Sequence, residues 1–346
     1  MISYKSAGVN DEKAETLVDI INQQIRKTSF YKKLYGGIGF FGGFMPVPNG
    51  YKKPFFVSSC DGVGTKILVA KEIEKYDTIG IDLVAMNCND IAVCGAKALF
   101  FLDYLAVGKL KIEREKKIIE GIVKGCEIAH CALIGGETAQ MPGLYSDDEF
   151  DLAGFCVGIV EKKEILGPAR VNEDDILLGI YSNGIHSNGF SLARKVLFGG
   201  GRIKGALLRY HESLGRSLGE ELLRPTYIYS TMLSELCKKK LIHAAAHITG
   251  GGIPGNLVRI LPENLDAEID PNTWNIPKIF QLIQEKGRIK TKEMFNVFNM
   301  GIGLILACSE NSVADIKAYS QKHGFRVVKI GNICKGKGKV KILKRK

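Results

Sequence analysis

The first half of the chain combines helical amphipathic patterns with short apolar runs. Apolar residues spaced three and four apart predict four helices, over residues 11–27, 67–75, 77–96 and 112–129. Asn10 stands where a helix N-cap is expected for the first of them. Short apolar runs predict four strands, over residues 55–57, 98–107, 131–134 and 151–160.

The succession of helical patterns and short apolar runs is interrupted at residues 162–171, which contain Gly167-Pro168, and starts again after them. Further elements are predicted as a strand over 176–181, a helix over 190–197, a mobile glycine-basic loop over 199–205, a helix over 226–240 and a strand over 243–249. Alternating helices and strands predict two α/β (α+β) domains with mixed sheets flanked by helices, at residues 1–165 and 166–346.

The composition fits a glycine-rich soluble α/β protein. The 346 residues are 45% hydrophobic and 25% charged, with 40 glycines. No apolar run approaches the length of a membrane span, and the N-terminus does not read as a signal peptide, so we expect no membrane association. The nine cysteines form no C-x-x-C pair, which is typical of reduced core thiols in a cytosolic chain.

The formal charge of +11 raises the question of nucleic-acid binding. Seven of the positive charges lie in the last twelve residues, and about +4 remains without them. No stacking aromatic residues are interleaved among these lysines, so we interpret the segment as a solvated basic tail and expect no nucleic-acid partner. The remaining positive charge suits anionic small molecules.

The most informative segment follows the first predicted strand. It places a carboxylate, Asp61, and an ammonium, Lys66, around a turn that contains Gly62, Gly64 and Thr65. Carboxylate oxygens suit Mg²⁺, an ammonium suits phosphates, and glycines let backbone N–H groups approach phosphate oxygens. Taken alone, the segment could equally be an ordinary Asp-Gly turn.

A glycine run precedes that strand, and Gly37, Gly39 and Gly42 match G-x-G-x-x-G. A dinucleotide-binding turn must lie between a strand and a helix, whereas this run continues into Met45-Pro46. The chain has no Walker A sequence either. A glycine flap over a nucleotide and an Ω-loop without function remain equal alternatives.

Two further carboxylate segments could complete a metal site. Asp82 and Asn89, seven residues apart, share one face of a predicted helix, with Asp90 beside them. Glu137 lies in a predicted turn at a strand end, between Gly136 and Thr138. We predict that Asp61, Asp82 and Glu137 bind the metal. The competing interpretations are a solvated polar helix face and a helix-capping turn.

Two histidines lie in loops that suit anionic ligands. His186 stands between two Asn-Gly turns, and His247 ends a predicted strand before a glycine turn and Pro254. We expect both near the reacting substrate, with hydrogen-bonded structural histidines as the alternative. The predicted substrate contacts around them are Ser187, Asn188, Thr249, Gly250 and Gly251.

Together these segments resemble the aminoimidazole ribonucleotide synthetase family, the phosphoribosylformylglycinamidine cyclo-ligases of purine biosynthesis. The resemblance covers essentially the whole chain, in residues 3–9, 61–66, 80–86, 89–90, 100–104, 135–143, 153–158, 186–189, 246–252 and 298–301. Departures are few: Ser6 and Asn10 replace acidic residues that are usual in the family, and Gln140 replaces a glutamate.

The resemblance implies a two-domain ATP-binding synthetase fold and a homodimer, with first-domain strands forming a β-barrel between subunits. It implies ATP-dependent ring closure of formylglycinamidine ribonucleotide, through phosphorylation of the formamide oxygen, to give 5-aminoimidazole ribonucleotide, ADP and phosphate. ATP and Mg²⁺ are the implied cofactors, with a monovalent cation as a further candidate. Lys5 and Lys66 are expected at phosphates, and His186, His247 and Lys5 in catalysis.

Two other function classes compete with that expectation. The nearer is another ATP-using enzyme of the same superfamily, such as formylglycinamidine synthetase, selenophosphate synthetase or thiamine-monophosphate kinase. A selenophosphate synthetase needs a reactive cysteine near its N-terminus, whereas the first cysteine here is Cys60. The more distant is a basic nucleic-acid-binding protein, which a steep salt dependence of binding would reveal.

Overall fold

A computed structural model describes residues 8–31, 34–35, 41–199 and 203–345 of the chain. The predicted site residues Lys5, Gly37 and Gly39 lie outside the described residues, and so does Ser6. In the described part of the chain, no helix is both long and apolar enough to cross a membrane.

The first half builds one four-stranded sheet and four helices. The strands are β1 (Pro54–Gly62), β2 (Lys97–Val107), β3 (Ala132–Gln140) and β4 (Phe150–Glu161). The helices are α1 (Asp11–Arg26), α2 (Lys66–Glu72), α3 (Ile79–Val93) and α4 (Ile112–Ala129). The strand order is β1-β4-β2-β3, in which only β2 and β3 run parallel.

Helix α3 covers one face of this sheet and leaves the other face open. A Cβ atom on Gly154 of β4 would lie 2.4 Å from the ring of Phe101 and 3.0 Å from Leu83 of α3. Only glycine therefore allows this close approach of helix and sheet. On the opposite face, Phe155 is 41% exposed and Phe56 66% exposed.

The second half builds a six-stranded mixed sheet in the order β12-β9-β11-β5-β10-β8 and a short β6–β7 ribbon. Its strands are β5 (Ile176–Tyr181), β6 (Tyr210–His211), β7 (Arg216–Ser217), β8 (Ala244–His247), β9 (Leu265–Ile269), β10 (Ile302–Cys308), β11 (Val327–Lys335) and β12 (Val340–Ile342). Its helices are α5 (Phe190–Phe198), α6 (Ile203–Leu208), α7 (Leu218–Leu222), α8 (Ser230–Lys238), α9 (Gly252–Leu257), α10 (Lys278–Gly287), α11 (Thr291–Val297) and α12 (Val313–Lys322).

The mixed α/β architecture is confirmed, and most predicted elements agree within a few residues. Two predicted bounds and one predicted turn are wrong. Strand β1 continues past residue 57 to Gly62, and α6 begins at Ile203, inside the predicted loop over 199–205, of which residues 200–202 lie outside the described residues. The segment that contains Gly136, Glu137 and Thr138 is not a turn, because β3 continues through it to Gln140 while paired with β2. The two sheets use separate halves of the chain, and the division at residues 165 and 166 stays a prediction.

Two of the family departures interact in the fold. The Oδ1 atom of Asn10 accepts the Lys13 N–H at 3.0 Å and caps α1, as predicted. The backbone N–H of Asn10 donates to Gln140 Oε1 at 2.9 Å, and Gln140 Nε2 donates back to the Asn10 carbonyl at 3.2 Å. Because a glutamate could only accept, glutamine at position 140 suits this reciprocal contact with the start of α1.

Candidate active site

Helix α3 packs against both halves of the molecule. It packs against β1, β2 and β4 on one side and against α8 and β8 on the other. Its polar residues Asp82, Asn89 and Asp90 contact residues of the second half. The predicted common face of Asp82 and Asn89 is therefore an interface within the chain, since both residues are fully buried.

Asn89 and Asp90 hold His247 in one tautomer. The Tyr229 N–H donates to Asn89 Oδ1 at 2.7 Å, which orients the amide so that Nδ2 faces the Tyr227 carbonyl and, at 3.3 Å, His247 Nε2. Nε2 must then accept, so the ring proton lies on Nδ1. That nitrogen donates to Asp90 Oδ1 at 2.8 Å. His247 thereby fixes the orientation of a carboxylate whose side chain is 39% exposed.

Asp61 lies in the same electrostatic neighbourhood. Burial raises the pKa of Asp61, the N–H of Gly62 lowers it, and the negative charge of Asp90 raises it. Asp61 Oδ1 accepts the Gly62 N–H at 2.7 Å, and Asp90 uses its own Oδ1 for His247. Two repelling carboxylates, each with a second oxygen, form a donor set that suits a hard cation.

The turn after Asp61 faces open space. Gly64 has a φ of +66°, in the left-handed region, and a Cβ atom there would have no neighbour within 4 Å. Next to it, Thr65 Oγ1 lies 3.1 Å from Ser191 Oγ at the start of α5. The turn therefore lies where the two halves of the chain meet, with room for a ligand beside its backbone.

The glycine turn after β8 approaches the loop before α5. A Cβ atom on Gly250 would lie 3.5 Å from Asn188 Oδ1, while Asn188 Nδ2 contacts Met86 of α3. Asn256 holds the turn by donating to the carbonyls of Gly250 and Gly252, at 3.1 and 2.8 Å. Asn188 and the 249–251 turn thus lie together in the fold.

The structure contradicts a phosphate-binding role for Lys66. Its side chain is completely buried, and Nζ lies 2.7 Å from Asp82 Oδ2. Nζ also donates to the carbonyls of Arg224, at 2.7 Å, and His186, at 3.0 Å. Since an ammonium has three protons, all three have acceptors inside the protein. Burial lowers the pKa of Lys66, and the charge of Asp82 raises it.

Asp82 is equally occupied, so it does not fit the predicted metal ligand. Its Oδ1 accepts the N–H and the hydroxyl of Thr226, both at 2.7 Å, and the Ser187 hydroxyl at 3.2 Å. With Oδ2 on Lys66, both oxygens are engaged. Ser187 is likewise a buried partner of Asp82, and the prediction that it contacts substrate does not fit this geometry.

His186 does not lie in an open loop, which corrects that expectation. It is 2% exposed, and its ring packs edge-on against Tyr227, with centroids 6.1 Å apart, and also near Tyr229. Burial, and then the positive charges of Lys66 and Arg224, hold the pKa of His186 well below its usual range. The neutral ring is therefore part of the core, and its carbonyl accepts from Lys66.

Glu137 is separated from Asp61, so the predicted metal set is not brought together. Across the sheet, Asp61 pairs with Gly154, Gly154 with Asp103 and Asp103 with Gly136. Asp61 is therefore three strand spacings of ~4.8 Å, or roughly 14 Å, away from Gly136. Glu137 is the next residue along β3, and successive side chains point to opposite faces. One ion cannot bind both carboxylates.

Glu137 instead lines a cavity of about 580 Å³ between α1 and the strands β2 and β3. Gly136, Thr138 and Gly42 also line it, together with Asp103. Burial raises the pKa of Asp103 to about 7, and the negative charge of Glu137 also raises it. This cavity collects several predicted nucleotide-site residues, although it lies apart from Asp61 and Asp90.

We expect Asp103→Asn to stabilise the protein, and increasingly so above pH 4. A carboxyl whose pKa is raised by folding binds its proton more tightly in the folded state, so stability falls as pH rises towards about 7. Removing the titration should raise the free energy of unfolding at pH 8 by up to about 4 kcal/mol. Urea unfolding at pH 5 and pH 8 measures this. Exposed Asp147→Asn is the control, and an Asp103→Asn effect equal at both pH values would contradict the expectation.

Sequence reasoning missed several residues that shape the site. Thr226 anchors Asp82, Asn256 anchors the glycine turn, and Asn87 Nδ2 donates to the Asp61 carbonyl at 3.3 Å. Asn87 could have been found, because it lies on the same helix as Asn89 and is polar within an apolar pattern. Thr226 lies in a loop and Asn256 on α9, and the contacts that they make have no local sequence signal.

Comparison with known sequences covers both halves of the chain. Residues 51–160 match the family described as AIR synthase related protein, N-terminal domain, and residues 172–344 match its C-terminal domain. The chain is 49% identical to the phosphoribosylformylglycinamidine cyclo-ligase of Thermodesulfovibrio yellowstonii, over 97% of each chain. It is 48% identical to that of Bacillus cytotoxicus, over 97% of this chain and 96% of the relative.

Solved structures share the fold at low identity. Thiamine-monophosphate kinase from Stenotrophomonas maltophilia aligns with a TM-score of 0.67 and 18% identity, over 94% of this chain and 95% of the other. Hydrogenase maturation protein HypE in complex with ATP aligns with a TM-score of 0.67 and 14% identity, over 97% and 92%. T. maritima PurL complexed with FGAR aligns with a TM-score of 0.56 and 14% identity, over 82% of this chain and 42% of that one.

Proposed function

Because the chain belongs to the AIR synthase family and resembles its cyclo-ligases over nearly its full length, we propose that it closes the imidazole ring of formylglycinamidine ribonucleotide at the expense of ATP. The chain is a ligase of purine biosynthesis by its family membership. The near-complete coverage at 49% identity is the observation that carries the proposal. We place the reaction in the cytoplasm, where the sequence predicts reduced thiols.

The proposed chemistry makes a poor leaving group into a good one. The formamide oxygen attacks the γ-phosphorus of ATP and releases ADP. The neighbouring nitrogen then attacks the activated carbon, loses a proton, and expels phosphate as the ring closes. Phosphoryl transfer depends on alignment and charge neutralisation more than on covalent help from the protein. Carboxylates, N–H groups of glycine turns and a polar cleft are the parts that this chain provides.

We assign Asp61 and Asp90, rather than the predicted set with Asp82 and Glu137, as the residues that would hold Mg²⁺. The two carboxylates repel each other, and the second oxygen of each has no hydrogen-bond partner among the described residues. Both features fit a hard cation. Bound Mg²⁺ would neutralise phosphate charge. The backbone of the turn at Gly64 and Thr65 would approach the phosphates, and Asn188 with the 249–251 turn would contact the substrate.

His247 is proposed as a positioning residue for Asp90. Replacing it by glutamine keeps one N–H donor but moves it and removes the ring, so Asp90 should lose its fixed orientation. We expect His247→Gln to lower kcat/KM at least about 10-fold. Its pH–rate profile, measured against the parent, reports whether the imidazole also titrates during turnover. His323→Gln, with a histidine–glutamate contact remote from the cleft, is the matched control. Parental rates in His247→Gln would remove the proposed role.

Release of ADP tests the proposed reaction directly. Purified protein with Mg²⁺ and ATP should release ADP rapidly only when formylglycinamidine ribonucleotide is present, with one 5-aminoimidazole ribonucleotide formed per ADP. Thiamine monophosphate and selenide serve as alternative acceptors. Substrate-dependent ADP release with either of them, and none with the ribonucleotide, would assign the chain to another branch of the superfamily.

The open face of the first sheet supports the proposed homodimer. Phe56, Tyr104 and Phe155 lie on this face, according to the strand register, and are between 37% and 66% exposed. Exposed aromatic side chains grouped on one sheet face are typical of an interface. Two copies joined through it would form the barrel that the resemblance implies.

We expect Phe155→Lys to dissociate the proposed dimer, because a charge would be buried without a partner at its centre. Sedimentation velocity should then show a particle of 38.0 kDa instead of twice that mass. Ile128→Lys, at an equally exposed apolar position on α4, is the matched control and should stay dimeric. A Phe155→Lys variant with the parental mass would contradict this interface.

A further inference from the structure

Three cysteine side chains meet in the core behind α3. Cys88 lies on α3, Cys131 directly before β3, and Cys156 in the middle of β4. All three are completely buried, and their Sγ atoms lie within 4.8 Å of one another. The Cys88 and Cys156 sulfurs are 3.4 Å apart. This thiol cluster of Cys88, Cys131 and Cys156 has no part in the proposed ring closure.

The spacing of the thiol cluster fits one three-coordinate ion. With metal–sulfur bonds of about 2.3 Å, three sulfurs around a planar centre lie about 4.0 Å apart. The Cys88 and Cys156 sulfurs are 3.4 Å apart and the other pairs lie within 4.8 Å, so shifts below 1 Å would reach that spacing. The sulfurs come from a helix, a strand and the residue before another strand, so their positions are fixed by the fold and not by a flexible loop.

The surroundings decide which kind of cation fits. The donors are sulfur only, which selects soft ions over Mg²⁺ or Ca²⁺. Structural zinc sites are almost always four-coordinate, and full burial leaves no place for solvent as a fourth ligand. Three buried sulfur donors therefore fit a soft cation that accepts three-coordinate sulfur ligation.

We propose that Cys88, Cys131 and Cys156 form a three-sulfur binding site for a soft monovalent cation, of which Cu(I) is the cellular example. Binding forms three metal–sulfur bonds and releases the protons of those thiols that ionise, with no change of oxidation state. Because the site is buried, the ion enters while the chain folds and then links α3 to the sheet.

The proposed ion would also act on the cleft through α3. Cys88 lies between Asn87, which donates to the Asp61 carbonyl, and Asn89, which holds Tyr229 and His247. A link at Cys88 therefore fixes the helix segment that positions both halves of the cleft. The inference does not depend on the proposed reaction, and its test requires no activity measurement.

Refolding with Cu(I) is the direct experiment. The full chain is unfolded, reduced and refolded without oxygen, with or without Cu(I), in the presence of a chromophoric Cu(I) chelator as competitor. We expect one tightly held Cu(I) per chain and a higher Tm than for the metal-free protein. X-ray absorption should show three sulfurs at about 2.3 Å from copper.

Variants decide whether the thiol cluster is the site. Cys88→Ala and Cys131→Ala should each lower the Cu(I) affinity at least roughly 100-fold, since even indirect changes cost 10–100-fold. Cys308→Ala, at a buried cysteine of the second sheet, and Cys60→Ala, at an exposed cysteine, should bind like the parent. Their melting temperatures without metal show that each variant folds.

Several results would overturn the proposal. The first is that the refolded parent protein retains no Cu(I). The second is that Cys88→Ala and Cys131→Ala both retain Cu(I) like the parent. A third is preferential Zn²⁺ binding that is lost in Cys126→Ala, because Cys126 lies in electrostatic range of Cys88 and Cys156 and would complete a four-sulfur zinc site.

Discussion

We expect Lys66→Met to lose about 3–5 kcal/mol of its free energy of unfolding, because it leaves Asp82 as a buried charge without its partner. Methionine fills a similar volume beside Phe190, whose ring centroid lies 5.6 Å from Lys66 Nζ. The carbonyls of His186 and Arg224 also lose their donor. Urea unfolding of the purified variant measures the effect.

A double variant separates the ion pair from the rest of the site. In Lys66→Met with Asp82→Asn, the Asn Oδ1 can still accept from Thr226, and no charge remains buried. The double variant should therefore be more stable than the two single effects predict when added. Lys75→Met, which removes an exposed partner of Asp77, is the control and should change stability by less than about 1 kcal/mol.

The same variants test the role that the sequence suggested for Lys66. A phosphate-binding lysine would lose kcat/KM while its stability stayed near the parental value. The structure leads us to expect the reverse order, with stability affected first and turnover reduced because the 182–189 and 224–227 loops lose their anchor. Unchanged stability with a large rise in KM for ATP would restore the phosphate role.

The regular elements could be predicted because their signals are local. Helix α4 is found at its predicted bounds, and α1 begins after its predicted cap, Asn10. Periodicity and capping depend on neighbours in sequence. The exception is informative: the Gly135-Gly136 pair looks like a turn, yet pairing with β2 keeps β3 extended. Tertiary context overrode the local preference of glycine.

The candidate site was predicted only in part, for a physical reason. Residue types showed that carboxylates, glycine turns and histidines were present, and Asp61, Asp90 and His247 do come together. Sequence could not tell which polar groups satisfy each other across the two halves. Lys66 and Asp82 have the chemistry of ligand-binding residues, but they are buried partners 2.7 Å apart. Their other partners, His186, Arg224 and Thr226, lie more than a hundred residues away in sequence, so no local pattern shows that both side chains are already satisfied.

Asp61→Asn is expected to lower turnover at least about 100-fold while leaving the fold intact, because the amide keeps one acceptor oxygen but loses the charge that would hold Mg²⁺. The side-chain oxygen of the asparagine can still accept the hydrogen bond that the Gly62 N–H donates to Asp61 Oδ1 in the parent. Removing the partly buried charge also removes the repulsion with Asp90, so stability should stay the same or rise.

Asp90→Asn provides the matched comparison for the same site. It should lose activity to a similar degree, and the combined variant should lose little more than either alone, because one ion needs both carboxylates. Steady-state rates at varied Mg²⁺ measure this, with Asp147→Asn, an exposed carboxylate away from the cleft, as the control. Multiplicative losses in the double variant would show that the two residues act separately. Near-parental turnover in Asp61→Asn would place the metal elsewhere, and the cavity lined by Asp103 and Glu137 would then be the next site to test.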